Sequence, residues 1–257
     1  SIGGNPALED LQVFSRWVVA KSRRWAFAHH LPGMPGLDRP GRRDIRREGL
    51  LGKPVKRIVP RLLRSGDALG IAAGMACLNS ALPVPEGAFA ANAFALFRAR
   101  ARRFRTCFIG HFPDAERWRE RGYPVAIIEL FPEPGDIHWE RSRRVLNAAE
   151  IVFITGLTLV NGTFPEVVRR TPNARHRILV GPTVPLSPLL FRYGVDLVGS
   201  TIILDVSRAL DYFRRGEGHY VFKPAGVVQR ICLAPAPERA HRGRETPPAR
   251  KEVQPCG

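Results

Sequence analysis

Two textures divide the chain. From Arg105 onward, short apolar runs alternate with charged stretches of helical spacing. The runs cover 106–109, 125–128, 151–154, 177–180 and 195–198. The stretches that separate and follow them cover 114–121, 139–147, 164–170, 187–193 and 205–215. A strand with one face in water shows a polar residue at every second position, and these runs do not. Strands apolar on both faces, alternating with helices, predict a parallel sheet in an α/β layer fold.

The upstream texture is different. Leu8, Leu11, Phe14, Trp17 and Val18 recur at helical spacing, so residues 1 to about 31 read as a helix. Residues 32–66 are rich in Gly, Pro and Arg and read as a connector with one short helix at most. Helix returns over 67–97, where Ala68, Ala72, Ala76 and their neighbours form a stripe of small residues suited to close packing. Pro83 and Pro85 end it. Residues 234–257 are rich in Pro, Arg and Glu without periodicity and read as a disordered tail. The expected organisation is a first domain over 1–100, an α/β domain over 101–233 and the tail.

Composition adds limits. Of 257 residues, 44% are hydrophobic, enough for a core. The longest apolar stretch, Ile151–Val160, is broken by Thr155, Gly156 and Thr158. A membrane span needs roughly 20 apolar residues, so none is expected. No secretory leader is read, and the expected location is cytoplasmic. The formal net charge is +17. Five of the 40 basic residues are Lys and the rest are Arg, a bias that high-GC coding produces without a polyanion partner. The composition therefore suggests a bacterial origin at least as strongly as a nucleic-acid partner. The excess gathers in Arg39–Arg64 and Arg98–Arg105, away from the α/β loops. Cys77, Cys107 and Cys232 lie in apolar runs and read as buried thiols of a reduced compartment, and Cys256 lies in the tail. No CxxC occurs, which excludes a zinc knuckle or thioredoxin-like motif.

In an open α/β sheet, ligands bind outside the carboxyl ends of the strands. The residues that follow each run are therefore the candidates. They are Gly110-His111-Phe112-Pro113, then Glu129 with Pro134-Gly135-Asp136, then Thr155-Gly156 with Asn161-Gly162-Thr163, then Gly181-Pro182-Thr183. His111, Glu129 and Asp136, with His138 as a further candidate, offer the N and O donors that a divalent metal takes. Thr163 and Glu166 fit a capping box, or Asn161 caps the helix. Alternatively, the same helix start offers its N–H groups to an anion. His29 and His30 are adjacent and would diverge on a helix. No GxGxxG, P-loop or GxSxG motif is present.

Taken in order, these landmarks resemble a known family. They are Gly70-Ile-Ala-Ala-Gly-Met-Ala-Cys-Leu-Asn79, Gly110-His-Phe-Pro113, Glu129 with Pro134-Gly-Asp136, Thr155-Gly156 with Asn161-Gly-Thr163, Gly181-Pro-Thr-Val-Pro-Leu-Ser-Pro188 and Phe191-x-x-Gly194-Val-Asp196. Over residues 66–232 the chain resembles the heavy-metal-chelation family of uncharacterised prokaryotic proteins. The resemblance implies an enolase N-terminal-like α+β domain followed by a Rossmann-like parallel sheet, with a site between them. It places Asn79, His111, Glu129, Asp136, Thr155, Asn161 and Thr163 along that cleft. The first domain should open with strands, yet residues 20–60 read as Arg-rich sequence broken by Pro and Gly. That half is expected to have diverged or to have lost its sheet.

The expected function is binding of a small polar ligand, a metal ion or a metal–chelator complex in the interdomain cleft. A divalent metal is the expected cofactor, held by His111, Glu129 and Asp136. Asn79, Thr155, Gly156, Asn161, Gly162, Thr163 and Gly181 would contact the ligand. Catalysis is left open, with Glu129 or His111 as its general base. A homodimer is compatible with this reading. The alternatives are a basic nucleic-acid or polyanion binder using Arg39–Arg64 and Arg98–Arg105, which the charge distribution disfavours, and an enzyme acting on a nucleotide-like molecule.

Overall fold

The computed structural model describes residue 4, residues 6–30 and residues 49–236. Much of the Arg39–Arg64 stretch, most of the tail and Cys256 lie outside the described residues.

The expected helix over 1–31 is replaced by an antiparallel sheet of β1 (Asp10–Val13), β2 (Trp17–Lys21) and β3 (Trp25–His29), in the order β1-β2-β3. The physical reason is burial on both faces. Val18, Ala20 and Ala28 pack in one core with α1 (Val55–Leu63) and α2 (Ala68–Ala81). Trp17, Val19 and Phe27 join a separate core with Leu210, Phe213, Val221 and Val227. Two apolar faces erase the period-2 signal, while Trp, Val and Phe favour the strand. The first half thus keeps the sheet that the family resemblance requires. The small-residue helix forms as expected, and its packing is close. A Cβ on Gly74 would lie 2.9 Å from Leu63 Cδ2.

The second sheet is built from β4 (Phe89–Ala90), then, after α3 (Ala93–Ala101), from β5 (Thr106–Ile109). Next come α4 (Pro113–Glu120), β6 (Val125–Glu129), β7 (Ile137–His138), α5 (Arg143–Ala148) and β8 (Ile151–Thr155). The chain continues through α6 (Leu157–Val160), α7 (Phe164–Arg170), β9 (His176–Val180), β10 (Leu197–Ile203), α8 (Val206–Arg214) and β11 (Val228–Leu233). The 187–193 stretch is a 3-10 helix, Pro188–Tyr193. The expected division after residue 100 falls at the end of α3, whose Ala93, Phe97 and Ala101 pack in the core of this second sheet.

The strand order is β4-β11-β10-β9-β8-β5-β6-β7. Strands from β10 to β7 are parallel, and β11 and β4 add an antiparallel edge. The chain runs outward from β5 through β6 to β7, then returns to start the other half at β8. The order therefore reverses between β5 and β8, and such a switch point opens a crevice at the strands' carboxyl ends.

The two sheets are joined across a seam. Asn79 Nδ2 donates to the carbonyls of Pro182 and Thr183, both at 3.1 Å. The His29 N–H donates to Thr183 Oγ1 at 2.9 Å. The Phe213 ring packs at a tilt against those of Trp17 and Phe27, with centroids 5.7 and 5.2 Å away. Asn79→Ala would leave both carbonyls without their donor and should cost about 1–3 kcal/mol in a denaturant titration. Unchanged stability would show that the seam does not rely on this amide.

Candidate functional site

A cavity of about 330 Å³ opens at the switch point. Arg16 and His29 line it from the first sheet's side. His111, Glu129, Trp139, Thr155, Asn161 and Thr163 line it from the other. Apolar walls come from Ile109, Ile128, Leu130 and Phe131. Gly110 makes the arrangement possible. Its φ is +102°, and a Cβ there would lie 2.9 Å from Thr155 Cβ. A side chain at 110 would be strained in backbone and would push β5 and β8 apart.

Past Gly110 the chain turns over the end of β6. The His111 N–H donates to Glu129 Oε1 at 2.6 Å, and the Leu130 N–H donates to Oε2 at 3.2 Å. Burial pushes the Glu129 carboxyl above the ordinary carboxylate range, against the pull of these two donors.

The His111 ring lies between two carboxylates. Nδ1 is 3.2 Å from Asp136 Oδ2, and Nε2 is 2.9 Å from Glu116 Oε1. Carboxylates only accept, so both ring nitrogens donate in this arrangement. Burial lowers the ring's pKa, but the hydrogen bonds to Glu116 and Asp136 outweigh it, and the net direction is upward. The Asp136 side chain is fully buried and also accepts from Arg119 Nη1 at 2.9 Å and from the Glu133 N–H at 3.3 Å. Arg119 additionally donates to the Gly135 carbonyl, tying this loop to α4.

Donor atoms of His111, Glu116 and Glu133 all lie within 4.8 Å of one another. One imidazole and two carboxylates suit a divalent transition-metal ion such as zinc, cobalt or manganese. A carboxylate on the far ring nitrogen, here Asp136, is the usual support of a metal-binding His. The residues present therefore fit a metal of this class. Glu116 and Glu133 were not sequence candidates. Glu116 looks like an ordinary acid in the first turn of α4, and Glu133 sits between two prolines in a loop.

Of the sequence candidates, His111, Glu129, Thr155, Asn161 and Thr163 meet in the cavity, and Asp136 stands behind His111. Asn79 belongs to the seam instead. Gly156 and Gly181 donate backbone bonds to Val180 and Gly199, and Gly162 is a left-handed turn with φ +75°. The capping box does not form. Thr163 Oγ1 donates to Asn161 Oδ1, and Glu166 is held by Arg169 and Arg170. His138 Nδ1 accepts from the Glu140 N–H, and buried His30 lies within hydrogen-bond distance of the Phe14 carbonyl. Of the adjacent pair, His29 reaches the cavity, its ring 4.5 Å from that of Trp17. Burial, with help from His30 and Arg16, pushes its pKa down to about 4.

The family model described as "Putative heavy-metal chelation" matches residues 92–232. The chain belongs to this family. An uncharacterized protein of Methanocaldococcus jannaschii is 42% identical over 83 residues, so the match spans 32% of this chain and 32% of that relative. A family member of unknown function from Desulfitobacterium hafniense has a similar solved structure, with TM-score 0.77 and 23% identity over 91% of this chain and 96% of that one. Another, from Pyrococcus horikoshii, gives TM-score 0.72 and 16% identity over 91% and 95%. At these identities the likeness is one of fold. The α/β architecture follows from both the strand order and these neighbours. No helix among the described residues is long and apolar enough to cross a membrane.

The two histidines respond to pH in opposite senses. Below the ordinary value of about 6.5 the unfolded chain binds a proton that folded His29 refuses, so its part of the stability is lost as pH falls from there toward about 4. The His111 contribution is fully present below about 6.5 and is lost as pH rises through its raised folded value. Imidazole NMR on the metal-free protein should show one ring titrating near 4 and one above 6.5, the second vanishing in His111→Ala. A His29 that titrates at its ordinary value would refute the buried assignment.

Proposed function

We propose that the chain binds a divalent metal ion through His111, Glu116 and Glu133 at the rim of the interdomain cleft, and a small polar ligand inside the cleft. The observation that carries this reading is the double engagement of His111. Its backbone N–H fixes Glu129 within the cavity, while its ring, supported by Asp136, meets two further carboxylates. Metal and ligand would therefore share one short loop. Arg16 gives the cleft a cation for an anionic part of the ligand, and Glu129 an acceptor for its donors. A cavity of about 330 Å³ is at the small end of ligand sites.

Thiolate chelation has no support among the described residues. Cys77, Cys107 and Cys232 are buried, and burial pushes each thiol up to about 12. The metal would be held by nitrogen and oxygen alone, with Nε2 giving up its proton to bind.

The test is calorimetry with Zn²⁺ and Co²⁺ on protein purified without chelator or His tag, with elemental analysis of the purified chain. His111→Ala should remove metal binding, Glu133→Gln should weaken it, and Asp136→Asn should weaken it about 10–100-fold by freeing the ring. Glu129→Gln should leave metal affinity near that of the parent. Failure of the folded parent to bind either ion, or full binding by His111→Ala, would overturn the metal assignment.

A further inference from the structure

A second concave site lies between α5 and α7, and its chemistry is the reverse of the first. Arg143, Arg144 and Asn147 line it from α5, and Glu166, Arg169 and Arg170 line it from α7. The cavity is about 710 Å³, twice the cleft's size. Four guanidinium groups and one carboxylate leave a formal local charge of +3.

The pairing is asymmetric. Glu166 is shared by Arg169 and Arg170 on its own helix. Arg170 is further fixed by a bond from Nη1 to the Trp139 carbonyl at 3.2 Å, and its guanidinium lies 4.3 Å from the centre of the Trp139 ring. Among the described residues no carboxylate or carbonyl engages the guanidinium groups of Arg143 and Arg144, both of which are exposed. Two held arginines thus face two unengaged ones across a hollow. Scattered surface arginines do not make a hollow, and a solvated helix face ordinarily alternates its charges. Planar guanidinium forks match phosphate oxygens in pairs, and Asn147 supplies a neutral donor.

We propose that this groove binds a phosphate-rich small anion, an oligophosphate chain of two or three phosphoryl groups either free or carried by a nucleotide. The size decides for a small molecule over a nucleic acid. A volume of about 710 Å³ is that of a ligand pocket, and no exposed aromatic stands in the groove on which successive bases could stack. Its lining residues are distinct from the proposed metal ligands His111, Glu116 and Glu133.

The experiment is calorimetry at low salt with tripolyphosphate and ATP, with a short single-stranded RNA as the third probe. Tripolyphosphate should bind, and its affinity should fall as salt rises. Arg143→Ala with Arg144→Ala should weaken it about tenfold or more, while Glu166→Gln should strengthen it. The control pair Arg98→Ala with Arg103→Ala removes the same charge from an exposed stretch elsewhere and should change affinity less than about twofold. ATP binding as tightly as tripolyphosphate would place recognition in the phosphates, and tighter ATP binding would make the occupant a nucleotide, both within the proposal. No binding of tripolyphosphate by the folded parent, equal weakening by the control pair, or RNA binding that outcompetes both phosphates would overturn it.

Discussion

The site depends on how firmly the three-stranded sheet is docked. The cleft has one wall on each unit, so its shape is set by the seam between them. That seam combines a non-directional and a directional element. Trp17 and Phe27 packing on Phe213 remove apolar surface from water, which favours docking but tolerates sliding. The bonds from Asn79 and His29 to Pro182 and Thr183 do not tolerate it, because each sets a donor against one acceptor. At Gly218 the approach is closer still, since a Cβ there would meet Trp17 Nε1 at 2.3 Å. A cleft held in this way is largely formed before any ligand arrives, and little ordering remains to be offset by binding.

The same economy shapes the rim. A fully buried carboxylate such as Asp136 is costly unless several donors reach it. Arg119, the Glu133 N–H and His111 Nδ1 do so. The His111 ring is therefore held for a structural reason, with Nε2 turned to Glu116 and the Glu133 carboxylate close by. A need of the fold thus produces a prepared donor. This differs from a surface cluster of acids, whose side chains have no such constraint and move independently.

The parallel sheet was legible in the sequence because strands buried on both faces, separated by charged helices, leave a pattern few other arrangements share. The crevice residues were legible for a related reason, since topology dictates that loops after the strands face the ligand. The sheet β1–β3 was misread because the evidence that works for the large sheet works against a small one. Apolar residues on both faces of β2 and β3 have no alternation, and Leu8, Leu11, Phe14 and Trp17 happen to fall three apart. Strands β4 and β7, of two residues each, are too short to leave a pattern. Glu116 and Glu133 carry no local signal at all, because only the folding of α4 and the β6–β7 loop onto His111 makes them neighbours.

Charge is the property that changes most between sequence and structure. A total of +17 describes a basic protein, yet the rim of the cleft gathers Glu116, Glu129, Glu133 and Asp136 within one region. A cation would meet a locally negative site on a molecule whose distant field repels it, so capture rests on short-range ligation more than on steering. The arginine groove does the opposite, and its local charge agrees with the overall field. Trp139 stands between the two, lining the cleft while carrying Arg170 on its ring and its carbonyl. The two regions of opposite charge therefore meet at a single side chain, whose aromatic face suits the guanidinium on one side and the apolar cleft wall on the other.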